Sequence, residues 1–155
     1  MSKDKISPAR RNPQPAPSPP SIALIGSGYW GKNLVRNLVH LEALKLICDK
    51  NEIVLDDFKK QYPGVSTCLA LNQVLAREDI RGLVIATPAE THFTLAREAL
   101  LAGKHVFVEK PLSLTQKDAR ELVELAQQNH LILMVGHLLE YHPVFTRLKE
   151  LEASG

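Results

Sequence analysis

The segment Gly26-Ser27-Gly28-Tyr29-Trp30-Gly31 constrains this chain more than any other, because of what flanks it. Before it stands Ile22-Ala23-Leu24-Ile25, an apolar run with no polar alternation. After it, leucines fall on one helical face at Leu34, Leu38 and Leu41. A glycine turn leading from a buried strand into a helix has few uses. Gly26 permits the tight turn, Gly28 lets backbone approach a ligand, and Gly31 allows close packing of helix on strand. The helix N-terminus offers unpaired N–H groups and the positive end of its dipole, which suits a pyrophosphate. In this context the spacing predicts a dinucleotide site. Tyr29 and Trp30 either wall that site or pack the start of the helix; the residues alone leave both open.

The alternation continues along the chain. Strands are expected over 22–25, 44–48, 65–67, 83–86, 105–108 and 131–135, and helices over 30–41, 53–62, 71–76, 91–102, 115–129 and 143–151. The fourth helix stops at Gly103, as helices commonly do. In the fifth, Thr115 and Asp118 stand at capping-box spacing, and Ala119, Leu122, Val123 and Ala126 share a face. Strands without polar alternation are buried on both faces, the habit of parallel sheets. Strand and helix in turn therefore predict an α/β fold, a doubly wound parallel sheet with right-handed crossovers. A length of 155 residues suits one domain, placed at 21–142. Residues 143–155 read as the start of a further helix, with Val144, Phe145, Leu148 and Leu151 on one side. Six of the ten prolines fall between Pro8 and Pro20, so residues 1–20 are expected to form a disordered or polyproline-like tail.

A net charge of +2 argues against nucleic acid or an anionic membrane as partner, and Arg10-Arg11, the tail's tight basic pair, reads as solvated. No apolar stretch reaches the roughly 18 residues of a membrane span, and the amino terminus lacks the apolar region of a signal peptide. Cys48 and Cys68 sit in or beside apolar runs and read as free thiols, consistent with a reduced, cytoplasmic protein. No metal is expected: His137 and His142 have no partner at ligand spacing and suit packing and capping, while His40, His105 and His130 end or begin elements.

In an open α/β sheet, ligands collect at the carboxyl ends of strands near the point where strand order reverses. Asp49 follows the second strand, 18 residues after Gly31. A carboxylate there accepts hydrogen bonds from the adenosine ribose and repels a 2′-phosphate, favouring NAD over NADP. Lys50 beside it weakens a strict preference, and an ordinary turn aspartate is the alternative. The fourth strand ends in Thr87-Pro88, with His92 opening the next helix near the cofactor. The fifth ends in Glu109-Lys110-Pro111 and the sixth in Gly136-His137. The Lys110 ammonium could bond a substrate hydroxyl or the nicotinamide ribose and polarise the reacting C–O bond, the cofactor supplying the redox chemistry. A solvated loop lysine is the other reading.

Taken together, the glycine turn, Ala86-Thr87-Pro88 with His92, Gly103-Lys104-His105-Val106 and Glu109-Lys110-Pro111-Leu112 resemble the Gfo/Idh/MocA oxidoreductases, which include glucose–fructose oxidoreductase and inositol dehydrogenase. The stretch from Val135 to Pro143 looks most like the UDP-sugar 3-dehydrogenase branch. The resemblance runs from Ser21 to the chain end. It implies NAD or NADP as cofactor, and hydride transfer between the nicotinamide and a sugar or nucleotide-sugar hydroxyl. It gives Lys110 the role of the substrate- and nicotinamide-contacting lysine, with a cis bond to Pro111 that would fix its side chain. Thr87, Pro88, His92 and Glu109 would line the cofactor cleft. Members of the family continue into a second α+β domain that binds substrate, builds the oligomer and supplies a catalytic Asp and His. That domain is absent from this sequence, so the chain is expected to bind a dinucleotide without catalysing alone. A stand-alone binding module and a non-functional remnant with exposed apolar surface stay open beside this reading.

Overall fold

The computed structural model describes residues 21–154; the proline-rich tail, its Arg10-Arg11 pair and Gly155 lie outside the described residues. Six strands, β1 (Ile22–Ile25), β2 (Leu44–Cys48), β3 (Ser66–Cys68), β4 (Gly82–Ile85), β5 (His105–Val108) and β6 (Leu133–Val135), pair in parallel. Their order is β3-β2-β1-β4-β5-β6. Between them run α1 (Gly31–His40), α2 (Glu52–Gln61), α3 (Leu71–Leu75), α4 (His92–Leu101) and α5 (Gln116–Gln128), and α6 (Pro143–Ala153) follows β6. The chain builds outward from β1 to β3, then returns to lay β4 on the other side of β1. Strand order reverses there, which opens a crevice at the carboxyl ends of β1 and β4.

Period-2 alternation explains the two-sided core. In β1, Ala23 and Ile25 point to one face and Leu24 to the other, and all three are buried. The first face packs Val74 of α3, Ala96 and Leu100 of α4, and Leu122 and Ala126 of α5. The second packs Val35 of α1 with Leu55 and Phe58 of α2. Small residues on α4 and α5 let those helices sit close to the sheet.

Three strands, β1, β2 and β5, cover the residues expected, and the other element boundaries move by one or two residues. Helix α1 begins at Gly31, and Val35 rather than a leucine is its fully buried side chain; Leu34 and Leu38 are half-buried and Leu41 is exposed beyond the helix end. The buried stripe is centred on Gly31 because that glycine must face β1. Val123, expected on the inner face of α5, is exposed. Asn51 caps α2 by accepting from the amides of Ile53 and Val54, and the Thr115 hydroxyl caps α5 by accepting from that of Asp118. Both cysteines are free thiols, as expected. Burial, with the Cys68 thiol beside it, pushes the Cys48 thiol up to about 12, so it stays neutral and fills space. Among the described residues no helix is long and apolar enough to cross a membrane, and no three metal-ligating side chains gather.

Gly103 takes a positive φ of 73° and ends α4, with its amide on the Leu100 carbonyl and that of Lys104 on the Ala99 carbonyl. The Lys104 side chain then turns inward. Its ammonium donates to the carbonyls of Arg77 and Ile80 at 2.8 and 2.9 Å, tying the loop before β4 to the start of β5. Lys104→Met keeps the apolar stem and removes both bonds; it should cost about 2 kcal/mol in urea unfolding. An unchanged midpoint would show that the loop does not depend on this ammonium.

Candidate functional site

The turn from β1 into α1 is backbone packed on backbone. Gly26 has φ 87°, and a Cβ on it would lie 2.7 Å from Thr87 Cγ2 and 2.9 Å from the Ala86 carbonyl oxygen. A Cβ on Gly31 would come within 2.2 Å of the Gly26 carbonyl oxygen. Both glycines are therefore demanded by the fold itself. Gly28 differs: a Cβ there meets nothing within 4 Å, so protein packing does not explain its missing side chain. No side chain caps α1 and its first turn carries no acid, which leaves the positive end of the helix open.

Asp49 braces this turn from β2. Its Oδ2 accepts from the Ser27 amide at 2.7 Å and the Ser27 hydroxyl at 2.8 Å, and its Oδ1 from the Asn51 amide at 2.9 Å. Ser27 is buried, and it spends its amide and hydroxyl on Asp49. A carboxylate has about four lone-pair positions. Three are filled here, which leaves room for one further donor such as a ribose hydroxyl. Burial acts to raise the Asp49 carboxyl, but the hydrogen bonds from Ser27 and Asn51, with a smaller contribution from the nearby Lys50 amide, overcome it and hold the group below its ordinary value of 3.8.

The ends of β4, β5 and β6 enclose a cavity of about 880 Å³ against the start of α1, within the range of small-molecule sites. Trp30, Thr87, Glu109 and Lys110 line it together, as do Gly136, His137, Leu138, Leu139 and Phe145. Lys110 is exposed to the cavity and its bond to Pro111 is cis. The Trp30 indole N–H donates to Glu109 Oε1 at 2.6 Å. Of the two aromatic residues in the turn, Trp30 is thus a wall of the site, whereas Tyr29 is 94% exposed and packs on nothing.

His92 stands inside the protein rather than on the cavity surface. It is 1% exposed, with Nδ1 2.7 Å from the Pro111 carbonyl oxygen and Nε2 2.8 Å from that of Thr87. Each ring nitrogen stands against a carbonyl oxygen, and the N–H that the tautomer carries donates to one of them, so the imidazole sits between the end of β4 and the Lys110-Pro111 turn. Pro88 is exposed and its carbonyl accepts from the amide and hydroxyl of Thr91, starting the 3-10 turn Ala89–Thr91. His137 corrects the expectation of packing: it is exposed and lines the cavity. Its position at a strand end was the usable signal. His142 does cap a helix, accepting from the Val144 amide at the start of α6. Leu138, Leu139 and Phe145 gave no sequence signal, because a 3-10 turn over Leu138–Tyr141 and the path of α6 bring them to the cavity.

Comparison with known proteins bears directly on this arrangement. A model of the Gfo/Idh/MocA oxidoreductase family, NAD-binding Rossmann fold, matches residues 21–137. UDP-N-acetylglucosamine 3-dehydrogenase of Acidithiobacillus ferrooxidans is 30% identical over 132 residues, which cover 82% of this chain and 40% of that protein. A 4-carboxy-2-hydroxymuconate-6-semialdehyde dehydrogenase of Sphingobium is 34% identical over 125 residues, 79% of this chain and 39% of its own length. Among solved structures, GenD2 from gentamicin A biosynthesis, in complex with NAD, superposes with a TM-score of 0.80 at 32% identity, covering 90% of this chain and 42% of that one. This chain therefore spans about 40% of the length of the relatives it matches.

Two outcomes follow from the turn. Gly31→Ala should lower stability by on the order of 3 kcal/mol or abolish folding, read by circular dichroism, since the new carbon has only backbone to push against. Asp49→Asn should lower Tm at pH 7. The native carboxyl is depressed, so its contribution is complete above the ordinary value of 3.8 and fades as pH falls toward the native one. The Tm gap between wild type and variant should close below pH 3.8, and a gap independent of pH would show that charge is not what braces the turn.

Proposed function

This chain belongs to the Gfo/Idh/MocA oxidoreductase family and carries its NAD-binding Rossmann domain, and from that premise we propose that it forms the cofactor half of a dehydrogenase acting on a sugar or nucleotide-sugar hydroxyl. The observation that carries the reading is Gly28. Its side-chain space is empty of protein, at the open N-terminus of α1, where a pyrophosphate would lie against backbone N–H groups. Asp49 would take a ribose hydroxyl on its remaining acceptor position, and its charge opposes a 2′-phosphate, so NAD is favoured over NADP. Trp30, Thr87 and Glu109 would flank the nicotinamide half in the cavity, with Pro88 and His92 shaping the loop beside it.

When bound, the nicotinamide supplies the hydride acceptor or donor. The chain's own contribution is Lys110, the catalytic residue of this reading. Its ammonium would donate to the substrate oxygen, hold charge as it develops there, and share the proton that leaves or joins the hydroxyl. The relatives named for sugar chemistry support a sugar or nucleotide-sugar substrate. The spread of chemistries among equally similar relatives argues that the exact substrate is chosen by parts beyond this Rossmann domain.

Hydride transfer needs the substrate held in near-attack geometry. In the family resemblance a second domain does this and adds an Asp and a His. Residues 143–155 read as the start of the connection to it. Leu138, Leu139 and Phe145 leave apolar side chains exposed at the cavity, as the open half of a cleft would, and Val144, Leu148 and Leu151 of α6 are exposed as well. On its own the chain should bind the dinucleotide without turning over substrate. The free thiols accord with a cytoplasmic setting.

Trp30 is the sole tryptophan, so binding can be read directly. NADH should quench its emission by energy transfer to the reduced nicotinamide, and NADPH should bind about tenfold more weakly because Asp49 faces its extra phosphate. Gly28→Ala should weaken NADH at least about tenfold, roughly 1.4 kcal/mol, while leaving Tm within about 1 °C of wild type, because the added methyl meets only ligand. No quenching at millimolar NADH, or equal affinity in Gly28→Ala, would overturn the reading.

A further inference from the structure

We infer that Trp30 is a positioning residue for Lys110, acting through Glu109. The inference rests on Lys110 as the group that faces substrate, and concerns what keeps that group available. Glu109 and Lys110 are neighbours of opposite charge at the carboxyl end of β5, and both line the same half-enclosed cavity. A carboxylate and an ammonium that line one cavity attract each other, more strongly as water is excluded. Here they do not pair. Among the described residues the partner of the Glu109 carboxylate is the Trp30 indole, 79 positions away in sequence, with Nε1 2.6 Å from Oε1.

The other side of the carboxylate lies against Gly136, just past the end of β6. A Cβ on Gly136 would come within 3.0 Å of Glu109 Oε2 and 3.2 Å of Cδ, so the glycine leaves the space that this group occupies. Glu109 is thereby held between the β1–α1 turn and the end of β6, and is only 9% exposed. The choice of donor matters. An indole N–H is neutral and holds the carboxylate without adding a second cation to the cavity, whereas an arginine or lysine would crowd Lys110 with like charge. Trp30 is itself 42% exposed, so its ring contributes little to the core. What it does contribute is a fixed acceptor geometry for Glu109, and with it an ammonium on Lys110 that is free to donate to a ligand oxygen.

Competitive acetylation with acetic anhydride tests this on the purified chain without dinucleotide, so its result is independent of whether NADH binds. The rate at Lys110 is read by peptide mass spectrometry relative to exposed Lys32 and Lys117 as internal references. Trp30→Phe keeps a ring at the wall but loses the N–H. It should slow Lys110 relative to the references by about threefold, as the released carboxylate pairs with it. Adding Glu109→Gln to Trp30→Phe should restore the wild-type ratio. Glu109→Asp, which keeps the charge but withdraws it from the indole, should slow Lys110 in the same way and covers the case of a poorly folded Trp30→Phe. An unchanged ratio in both single variants, or slowing that persists in the Trp30→Phe, Glu109→Gln double variant, would overturn the inference. A purely structural role for Trp30 would move all three lysines together.

Discussion

Backbone meets backbone where α1 leaves β1, and the rest of the molecule is arranged around that contact. With Gly31 against the Gly26 carbonyl there is no room for even one carbon, and this closeness sets where the first helix lies on the sheet. Val35 is buried, and Leu34 only half so, because the helix turns its glycine inward first. The N-terminus of α1 is left uncapped at the point where strand order reverses between β1 and β4. A dipole end, an open crevice and a backbone free of side chains coincide there for a single steric reason.

Around this contact, three long-range polar ties hold the strand ends in register with one another. Asp49 joins β2 to the turn through Ser27, Trp30 joins the turn to β5 through Glu109, and His92 joins the end of β4 to the residues after β5. Each reaches into a segment beyond the last paired residues of the sheet: the turn at Ser27 and Trp30, or the turn at Pro111. A site that must place a carboxylate, an ammonium and an open helix end around a ligand needs such ties, since loops beyond strand ends otherwise lose their geometry first.

The cavity they frame has one firm wall and one open one. Strand ends, Trp30 and Lys110 form the firm wall; Leu138, Leu139 and Phe145, carried by the 3-10 turn and α6, form the other. That second wall turns exposed apolar groups toward solvent as well as toward the cavity. The polar groups of the cavity are thus concentrated on the firm wall, and the apolar ones on the open wall.

Much of the fold was legible in the residues because it depends on local pattern. Apolar runs at Ile22–Ile25, Leu44–Cys48 and His105–Val108 became strands over the same residues, and glycine at 103 and threonine at 115 marked helix ends where the structure has them. The amino acids by themselves determined a parallel α/β sheet, a glycine turn with a narrow use, and the group of residues from which a site could be made. Tertiary structure alone decided which of those residues share a space. It turned His92 inward and brought His137 outward, gave Glu109 to Trp30 rather than to its neighbour Lys110, and showed that Gly26 and Gly31 serve the fold while protein packing leaves the side-chain space of Gly28 empty. The physical reason is that hydrophobic periodicity and turn chemistry act over a few residues, whereas hydrogen-bond partners and steric room are set between segments that the sequence holds far apart.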